Sequence, residues 1–240
     1  FGTGLCARTI QLAGTLLVSG SVCSQPGIAE QAVLESLARI EQYDKRYKAV
    51  IALEERAIDR ARAVDRQRSA RGPLYGEPVL LKDNIESQGM ATTAGSLALA
   101  ANIAAKDAPL VAGLRGADAV ILGKANLSEW ANFRSEHSSS GWSGVGGQTR
   151  NAVEPQRSPC GSSSGSAVAG ALGYVDITIG TETSGSIVCP ASVNGVVGLK
   201  PTFGAFTMDG IFPLVTSLDL VGPMARSEAE AEILWAGLSG

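Results

Sequence analysis

Residues 158–200 read SPCGSSSGSAVAGALGYVDITIGTETSGSIVCPASVNGVVGLK, and they alternate loops with regular elements over a short span. A serine- and glycine-rich loop leads into a predicted helix of small residues, Ala167–Leu172. The pattern then predicts a buried strand over Val175–Ile179, the loop Gly180–Ser186 and a further strand over Val196–Leu199. Buried strands that alternate with helices are typical of an α/β protein.

The chain before this stretch shows the same alternation. Apolar residues at helical spacing predict helices over 28–43 and 53–70. The second helix carries interleaved acidic and basic residues, which indicates a solvated face rather than a nucleic-acid surface. An apolar run predicts a buried strand over Pro78–Lys82, and a predicted helix over 109–115 precedes the predicted strand Ala119–Gly123.

The composition excludes several classes of protein. The 240 residues are 45% hydrophobic, which excludes a disordered chain. A net charge of -3 and an aromatic content of 5% are not typical of proteins that bind nucleic acids or anionic membranes. No apolar run reaches the roughly 18 residues of a membrane span. We therefore expect a cytoplasmic protein without a nucleic-acid or membrane partner, and a secreted or periplasmic location is the alternative.

The cysteines and the single histidine argue against a metal site. The chain has four cysteines and one histidine, which are Cys6, Cys23, Cys160, Cys189 and His137. No two cysteines form a CxxC pair, and four cysteines in a chain of this length are too sparse for a disulfide scaffold. We expect buried free thiols, and we expect neither a metal nor a cofactor.

Residues 5–23 allow two interpretations. An apolar stretch that follows a basic residue and ends in small residues matches a secretory signal peptide. The alternative is an amphipathic helix with Ile10, Leu12, Leu16 and Leu17 on one face. Polar residues interrupt the apolar run, which favours the helix.

The loop over 135–166 is rich in serine and glycine. Its length, and its interruption by tryptophan, arginine and proline, favour a functional loop over a linker. Its last part precedes a helix, so a phosphate cradle at the helix N-terminus is one interpretation. A P-loop, however, needs a lysine after the last glycine, and here Ser166 follows Gly165.

The same loop also contains the GxSxG pattern at 161–165, which would make Ser163 the nucleophile of a nucleophile elbow. A hydrolase of that type places its histidine after the serine in the chain, whereas His137 lies before it. The order His137, Asp176, Ser186 is an open alternative. The polar loop around His137 indicates a surface residue instead.

A lysine offers another way to deprotonate a serine. Lys82 ends the most apolar predicted strand, and burial lowers the pKa of a lysine so that its neutral amine can act as a base. The loop Gly180–Ser186 also follows a buried strand, and its Gly185 permits close backbone approach. Successive N–H groups of such a loop can bind one oxyanion, which suits acyl transfer to a serine.

Four stretches of the chain carry a resemblance to a known family. They are VLLKDNIE around Lys82, SPCGSSSGS at 158–166, GTETSGSIVCPA at 180–191 and NGVVGLKPT at 194–202. Together they resemble the amidase signature family, most of all its bacterial peptide amidases, from about Ile28 to the end of the chain. The resemblance implies a three-layer α/β/α fold around a mixed central sheet. It also implies that residues 1–240 are a single amidase domain, the N-terminal half of the family's fold, truncated on its C-terminal side.

The resemblance further implies a Ser–Ser–Lys triad. Ser186 matches the nucleophile, Ser162 matches a bridging serine that follows a cis peptide bond, and Lys82 matches the general base. Backbone N–H groups of the second loop match the oxyanion hole, and two residues of the first loop match supporting positions. The oxyanion donors are Thr183, Ser184, Gly185 and Ser186, and the supporting residues are Gly161 and Ser163.

The activity implied by the resemblance is hydrolysis of a carboxamide through an acyl-serine, with release of ammonia from a small-molecule or peptide amide. Two alternatives stay open: a subunit of a glutamine-dependent amidotransferase, and a truncated inactive chain. One departure from the family pattern bears on the substrate. Ser184 stands where the common loop has glycine and where peptide amidases have aspartate, so the substrate preference is open.

Overall fold

The computed structural model describes residues 25–67 and 71–239, which form a mixed sheet covered by helices. The helices are α1 Ile28–Tyr47, α2 Ala57–Asp65, α3 Pro109–Gly116, α4 Ser164–Ala171, α5 Val188–Asn194 and α6 Glu228–Ser239. The strands are β1 Val50–Leu53, β2 Pro78–Lys82, β3 Val120–Ala125, β4 Trp142–Ser143, β5 Gly147–Gln148, β6 Ile177–Glu182, β7 Val197–Gly198 and β8 Leu220–Ala225.

Within the described residues, the strands form one six-stranded sheet and one small hairpin. The order across the sheet is β1-β3-β2-β6-β8-β7, with β3, β2 and β6 as parallel neighbours and antiparallel strands on both sides of them. The hairpin of β4 and β5 lies within the polar loop 135–166, so this loop is folded and is not a linker. The predicted α/β class is confirmed.

The alternation of side chains along β2 explains the two helical layers. Every residue of β2 is buried, because the strand lies in the middle of the sheet between helices. Val79 and Leu81 belong to the core under α3, whereas Leu80 belongs to the core under α1 and α4. The predicted three-layer α/β/α arrangement is therefore confirmed.

The charged helix predicted over 53–70 is partly wrong. Its first residue, Leu53, is the last residue of β1, which pairs antiparallel with β3, and the helix α2 covers Ala57–Asp65. Pairing of Leu53 with a buried strand outweighs its helical spacing. The predicted segment at 5–23 lies outside the described residues.

The strand predicted to end at Ile179 also differs from the structure. It is β6, which continues through Glu182 because β8 pairs with it along its whole length. Three residues of the predicted loop Gly180–Ser186 therefore belong to the sheet. The helix α5 directly after this loop was not predicted, and neither were β8 and α6. No helix in the described part of the chain is long and apolar enough to cross a membrane.

The helix α4 lies unusually close to the backbone of its neighbours. Gly165 donates its N–H to the carbonyl oxygen of Asn126 at 2.9 Å. A Cβ atom at Gly165 would lie 2.3 Å from the carbonyl oxygen of Ala49 and 2.5 Å from the backbone nitrogen of Asn126. Only glycine allows this approach, and the approach sets the position of the serine loop at the start of α4.

We predict that Gly165→Ala lowers the free energy of unfolding by about 3 kcal/mol, because the added methyl group collides with backbone atoms that cannot move aside. Urea denaturation measures the change. Gly113→Ala is the matched control, since no described residue outside its chain neighbours and its own helix backbone has an atom within 4 Å of a Cβ at this position in α3. The control should be neutral or stabilising by up to about 1 kcal/mol. An equal response of both variants would contradict the prediction.

Candidate active site

The side chain of Lys82 is fully buried at the end of β2. β2 and β6 are parallel, with Leu81 opposite Ile179, so the carboxyl ends of both strands meet at the same edge of the sheet. This edge is where ligand sites of open α/β sheets form. The Lys82 amine therefore lies beside the last residues of β6, and the serine loop before α4 closes over it.

The amine of Lys82 has three hydrogen-bond partners. Its Nζ lies 2.8 Å from Ser162 Oγ, 2.8 Å from Thr181 Oγ1 and 3.0 Å from the carbonyl oxygen of Thr181. These acceptors match the three hydrogens of an ammonium group. When the amine is neutral, its two hydrogens can stay on Thr181, and its lone pair then faces the Ser162 hydroxyl. The geometry therefore suits a base that takes a proton from Ser162.

Burial lowers the pKa of Lys82 to about 7, and the negative charges of Asp219 and Glu182 only partly oppose this effect. A substantial fraction of the amine is consequently neutral at physiological pH. An exposed lysine would be almost entirely protonated under the same conditions. The predicted burial of Lys82 is confirmed by the structure.

The serine loop is held by hydrogen bonds on both sides of Ser162. The peptide bond between Gly161 and Ser162 is cis. The carbonyl oxygen of Ser162 accepts the N–H of Ser128 at 3.0 Å. The Ser163 hydroxyl donates to the carbonyl oxygen of Thr181 at 3.0 Å, so Ser163 ties the loop to the end of β6. These bonds fix the Ser162 hydroxyl against the Lys82 amine.

The second predicted serine follows β6 and begins the turn into α5. Ser186 is buried, and its carbonyl oxygen accepts the Ser163 N–H at 3.1 Å. The two serine loops are thus in direct backbone contact. Among the described residues, no hydrogen bond joins the hydroxyl groups of Ser162 and Ser186. The structure brings Lys82 and Ser162 together and places Ser186 in the adjacent loop.

Glu182 organises the turn that carries Ser186. Its buried carboxylate accepts the N–H groups of Ile187 at 2.7 Å and Val188 at 3.0 Å, and Lys200 pairs with it at 3.1 Å. Burial would raise the pKa of Glu182, yet these backbone N–H groups, with that of Gly185, hold it below its usual range. Gly185 has a φ of +78°, which glycine adopts readily and other residues do not.

Two other predicted oxyanion residues, Thr183 and Ser184, lie in the same turn. The Thr183 hydroxyl donates to the carboxylate of Asp219. Asp219 also accepts the N–H groups of Leu214 at 2.7 Å and Val215 at 2.9 Å, so it joins the turn to the segment before β8. Nothing in the sequence alone pointed to Asp219 or Glu182, because each acts through backbone groups that only the fold brings near.

A cavity of about 240 Å³ opens beside Ser162 and Thr181. One wall is aromatic, since the rings of Trp130 and Phe212 meet edge to face with centroids 5.2 Å apart. Its other lining residues are mostly apolar, and Asn84, Arg134, Thr183 and Asp219 add polar or charged groups. A cavity of this kind suits a largely apolar ligand that carries a few polar atoms.

The backbone that presents Trp130 to the cavity has an unusual conformation. Trp130, Ala131 and Asn132 have φ angles of +50°, +55° and +68°, although none is glycine. Such conformations are costly, at about 1–3 kcal/mol each, and they concentrate at ligand-binding sites. The fold accepts this cost where the segment lines the cavity, which supports a binding role for this wall.

A second buried lysine lies on the neighbouring strand β3. Lys124 Nζ is 3.5 Å from Asp83 Oδ1, and it donates to the carbonyl oxygen of Ile85 at 2.6 Å and to Thr92 Oγ1 at 3.0 Å. Burial lowers the pKa of Lys124 to about 8, and Asp83 partly opposes this effect. The pair stabilises the turn after Lys82. The sequence feature that could have indicated this buried pair is a lysine within the apolar run of β3.

The expectation of free thiols is wrong for two of the four cysteines. Cys160 and Cys189 form a disulfide, with their Cα atoms 5.9 Å apart. The bond links the serine loop to α5, and the sequence concealed this proximity because 29 positions separate the two residues. Disulfides persist mainly in oxidising compartments. Cys6 and Cys23 lie outside the described residues.

The alternative triad of His137, Asp176 and Ser186 is wrong. His137 is exposed in the polar loop. Asp176 forms an ion pair with Arg226 and precedes β6, whereas Ser186 follows it. The strand of six residues between them spans about 20 Å. These side chains therefore do not meet.

Comparison with known proteins agrees with this geometry. The family model described as Amidase matches residues 31–240. The chain belongs to the amidase family. The structure of native peptide amidase from Stenotrophomonas maltophilia superimposes with a TM-score of 0.86 and is 54% identical, over 88% of this chain and 45% of that one. The predicted family and its fold are confirmed.

Two further relatives of this amidase-family chain differ in their named functions. A protein of Arthroderma benhamiae whose name describes it as an amidase is 43% identical over 208 residues. The matched residues cover 85% of this chain and 35% of that protein. A glutamyl-tRNA(Gln) amidotransferase subunit of Symbiobacterium thermophilum is 42% identical over 218 residues, which cover 89% of this chain and 43% of that protein. The chain thus spans less than half the length of these relatives.

We predict that removal of the Cys160–Cys189 disulfide lowers the free energy of unfolding by about 3 kcal/mol, because the bond closes a loop of 29 positions. Thermal unfolding of Cys160→Ser, Cys189→Ser and the double variant measures the effect. All three should melt at the same lowered temperature, and a reductant should lower the melting temperature of the parent protein alone. A double variant that melts like the parent would show that the bond does not form.

Proposed function

We propose that this protein hydrolyses a carboxamide through an acyl-serine intermediate and releases ammonia. The observation that carries the proposal is the buried Lys82 amine, which has a pKa of about 7 and lies 2.8 Å from the Ser162 hydroxyl. A neutral amine in contact with a serine hydroxyl can act as a general base. Membership of the amidase family supports the same chemistry.

In this mechanism Ser186 is the nucleophile and Ser162 carries the proton. The Ser186 side chain turns toward Ser162, and its proton passes through Ser162 to Lys82 as the Ser186 oxygen bonds to the substrate carbonyl carbon. Backbone N–H groups of the turn 183–186 bind the oxyanion. Lys82 returns the proton through Ser162 to the leaving nitrogen, the carbon–nitrogen bond breaks and ammonia departs. Water activated by the same relay then cleaves the acyl-serine.

The comparisons bear on the choice of substrate. A peptide amide is the substrate class that we favour, because the 54% identity to a peptide amidase exceeds the 42% identity to a subunit of an amidotransferase. The apolar cavity also suits a peptide side chain next to the amide. The disulfide supports a periplasmic or secreted location over the expected cytoplasmic one.

We predict that Ser186→Ala lowers kcat by at least about 10⁴-fold without loss of fold, because no other group takes the acyl chain. Ammonia release from a peptide amide measures the rate, and thermal unfolding serves as the control for folding. Lys82→Ala should have nearly the same effect, and Ser162→Ala a somewhat smaller one. A fluorophosphonate probe should label Ser186. Labelling of Ser163 would instead support a nucleophile elbow, and near-native activity of Ser186→Ala would refute the mechanism.

We also predict that kcat/KM rises by about ten-fold per pH unit below pH 7 and levels off above it, because only neutral Lys82 accepts a proton. Initial rates between pH 5 and 9 measure the profile. The rate of fluorophosphonate labelling of Ser186 should follow the same curve, since it requires the same base but no amide. An inflection near the ordinary pKa of lysine, or a flat profile, would exclude Lys82 as the base.

A further inference from the structure

Arg134 is a charged residue of the cavity wall whose side chain has no partner. It lines the same cavity as Ser162, and it is exposed, so it lies at the mouth of this cavity. Its guanidinium forms no ion pair, hydrogen bond or ring contact with any described residue. Because an arginine side chain is long and this one is unrestrained, the guanidinium can turn toward a ligand in the cavity.

The free charge of the cavity wall is positive. Among the lining residues in the described part of the chain, only Arg134 and Asp219 carry a charge. The Asp219 carboxylate already accepts three hydrogen bonds, from the Thr183 hydroxyl and from two backbone N–H groups. The donors of Arg134, by contrast, are not used by any described residue. A negatively charged group of a ligand would therefore find its partner in Arg134.

The backbone that leads to Arg134 is held in position. The Phe133 N–H donates to the carbonyl oxygen of Trp130 at 3.0 Å, and the Asn132 side chain donates to the Ser140 hydroxyl at 3.2 Å. The base of the Arg134 side chain is thus placed at the cavity, whereas its charged end is free. This arrangement suits the recognition of a part of the substrate that lies outside the reacting group.

A second depression, of about 300 Å³, adjoins the cavity at Arg134, which lines both. Trp142 lies in the wall of this depression and is 46% exposed, so a longer substrate can continue past Arg134 onto an aromatic surface. The Glu129 carboxylate also lines the depression and accepts the Gly144 N–H at 2.8 Å. Its negative charge disfavours an anionic group there and leaves the mouth of the cavity as the place for one.

We propose that Arg134 binds a carboxylate of the substrate, so that the enzyme prefers amides with a negative charge away from the scissile bond. This proposal rests on the proposed function, in which the scissile amide lies against Ser162. Arginine recognises a carboxylate through two parallel N–H groups, a geometry that lysine does not offer. The substrate class is a peptide amide that carries an acidic group on its acyl side.

The test compares the binding of two ligands of nearly the same shape. The ligands are N-succinyl-phenylalaninamide, which carries a carboxylate, and N-levulinoyl-phenylalaninamide, in which a methyl group replaces one carboxylate oxygen. Calorimetry in the Ser186→Ala background measures both affinities without chemistry, because the nucleophile is absent. We expect the succinyl ligand to bind about five-fold more tightly at low ionic strength, since an exposed ion pair is weak. High salt should reduce this preference.

Three substitutions in the same background connect the preference to Arg134. Arg134→Gln should abolish it, and Arg134→Lys should retain part of it, because lysine keeps the charge but loses the paired N–H groups. Arg150→Gln is the matched control, since Arg150 is exposed and lies outside the lining of this cavity. The control makes the same change in net charge and should leave the preference unchanged.

An unchanged preference in Arg134→Gln overturns the inference, as does equal binding of the two ligands by the Ser186→Ala background. An equal loss in Arg150→Gln also overturns it, because net charge rather than contact would then set the preference. Thermal unfolding checks the fold of each variant, and Arg134→Met gives the same readout if Arg134→Gln does not fold. Failure of the protein with native Ser186 to release ammonia from either amide would refute the proposed function separately.

Discussion

A buried lysine without a carboxylate partner is the central constraint on this site. Lys82 forms no ion pair among the described residues, so its burial favours the neutral amine. Lys124, one strand away, is equally buried but lies beside the Asp83 carboxylate. The two lysines share a sheet and differ in their partners. The carboxylate suits the stabilisation of a turn, whereas the hydroxyl groups around Lys82 suit the transfer of a proton.

The fold meets this constraint by bringing three chain segments to one edge of the sheet. Parallel pairing of β2 and β6 places Lys82 beside Thr181. Close approach of α4 at Gly165 sets the serine loop over them, and the contact of Ser163 with Ser186 joins the two loops. The disulfide adds a covalent link between the same loops. Each contact joins residues that are distant in the chain, so the site depends on the packing of the whole sheet.

The sequence predicted a structural element correctly where the hydrophobic pattern of the segment itself indicates burial. The prediction was wrong where contact with a distant segment of the chain determines the structure. The strand Pro78–Lys82 has the predicted bounds, because an apolar run of this length between turn residues favours a buried strand over other structures. Leu53, the first residue of the predicted helix 53–70, instead ends β1, because β3 pairs with that strand. The cysteines were misjudged for the same reason, since their proximity arises only in the folded chain.

The family, the α/β class and the identity of the candidate groups could be read from the order of the amino acids, because short motifs and hydrophobic patterns are local properties. Folding was needed to bring the Lys82 amine to Ser162 and Thr181 and to bond Cys160 to Cys189. Distances, desolvation and hydrogen-bond satisfaction depend on which distant segments meet. No pattern within a single segment encodes these properties.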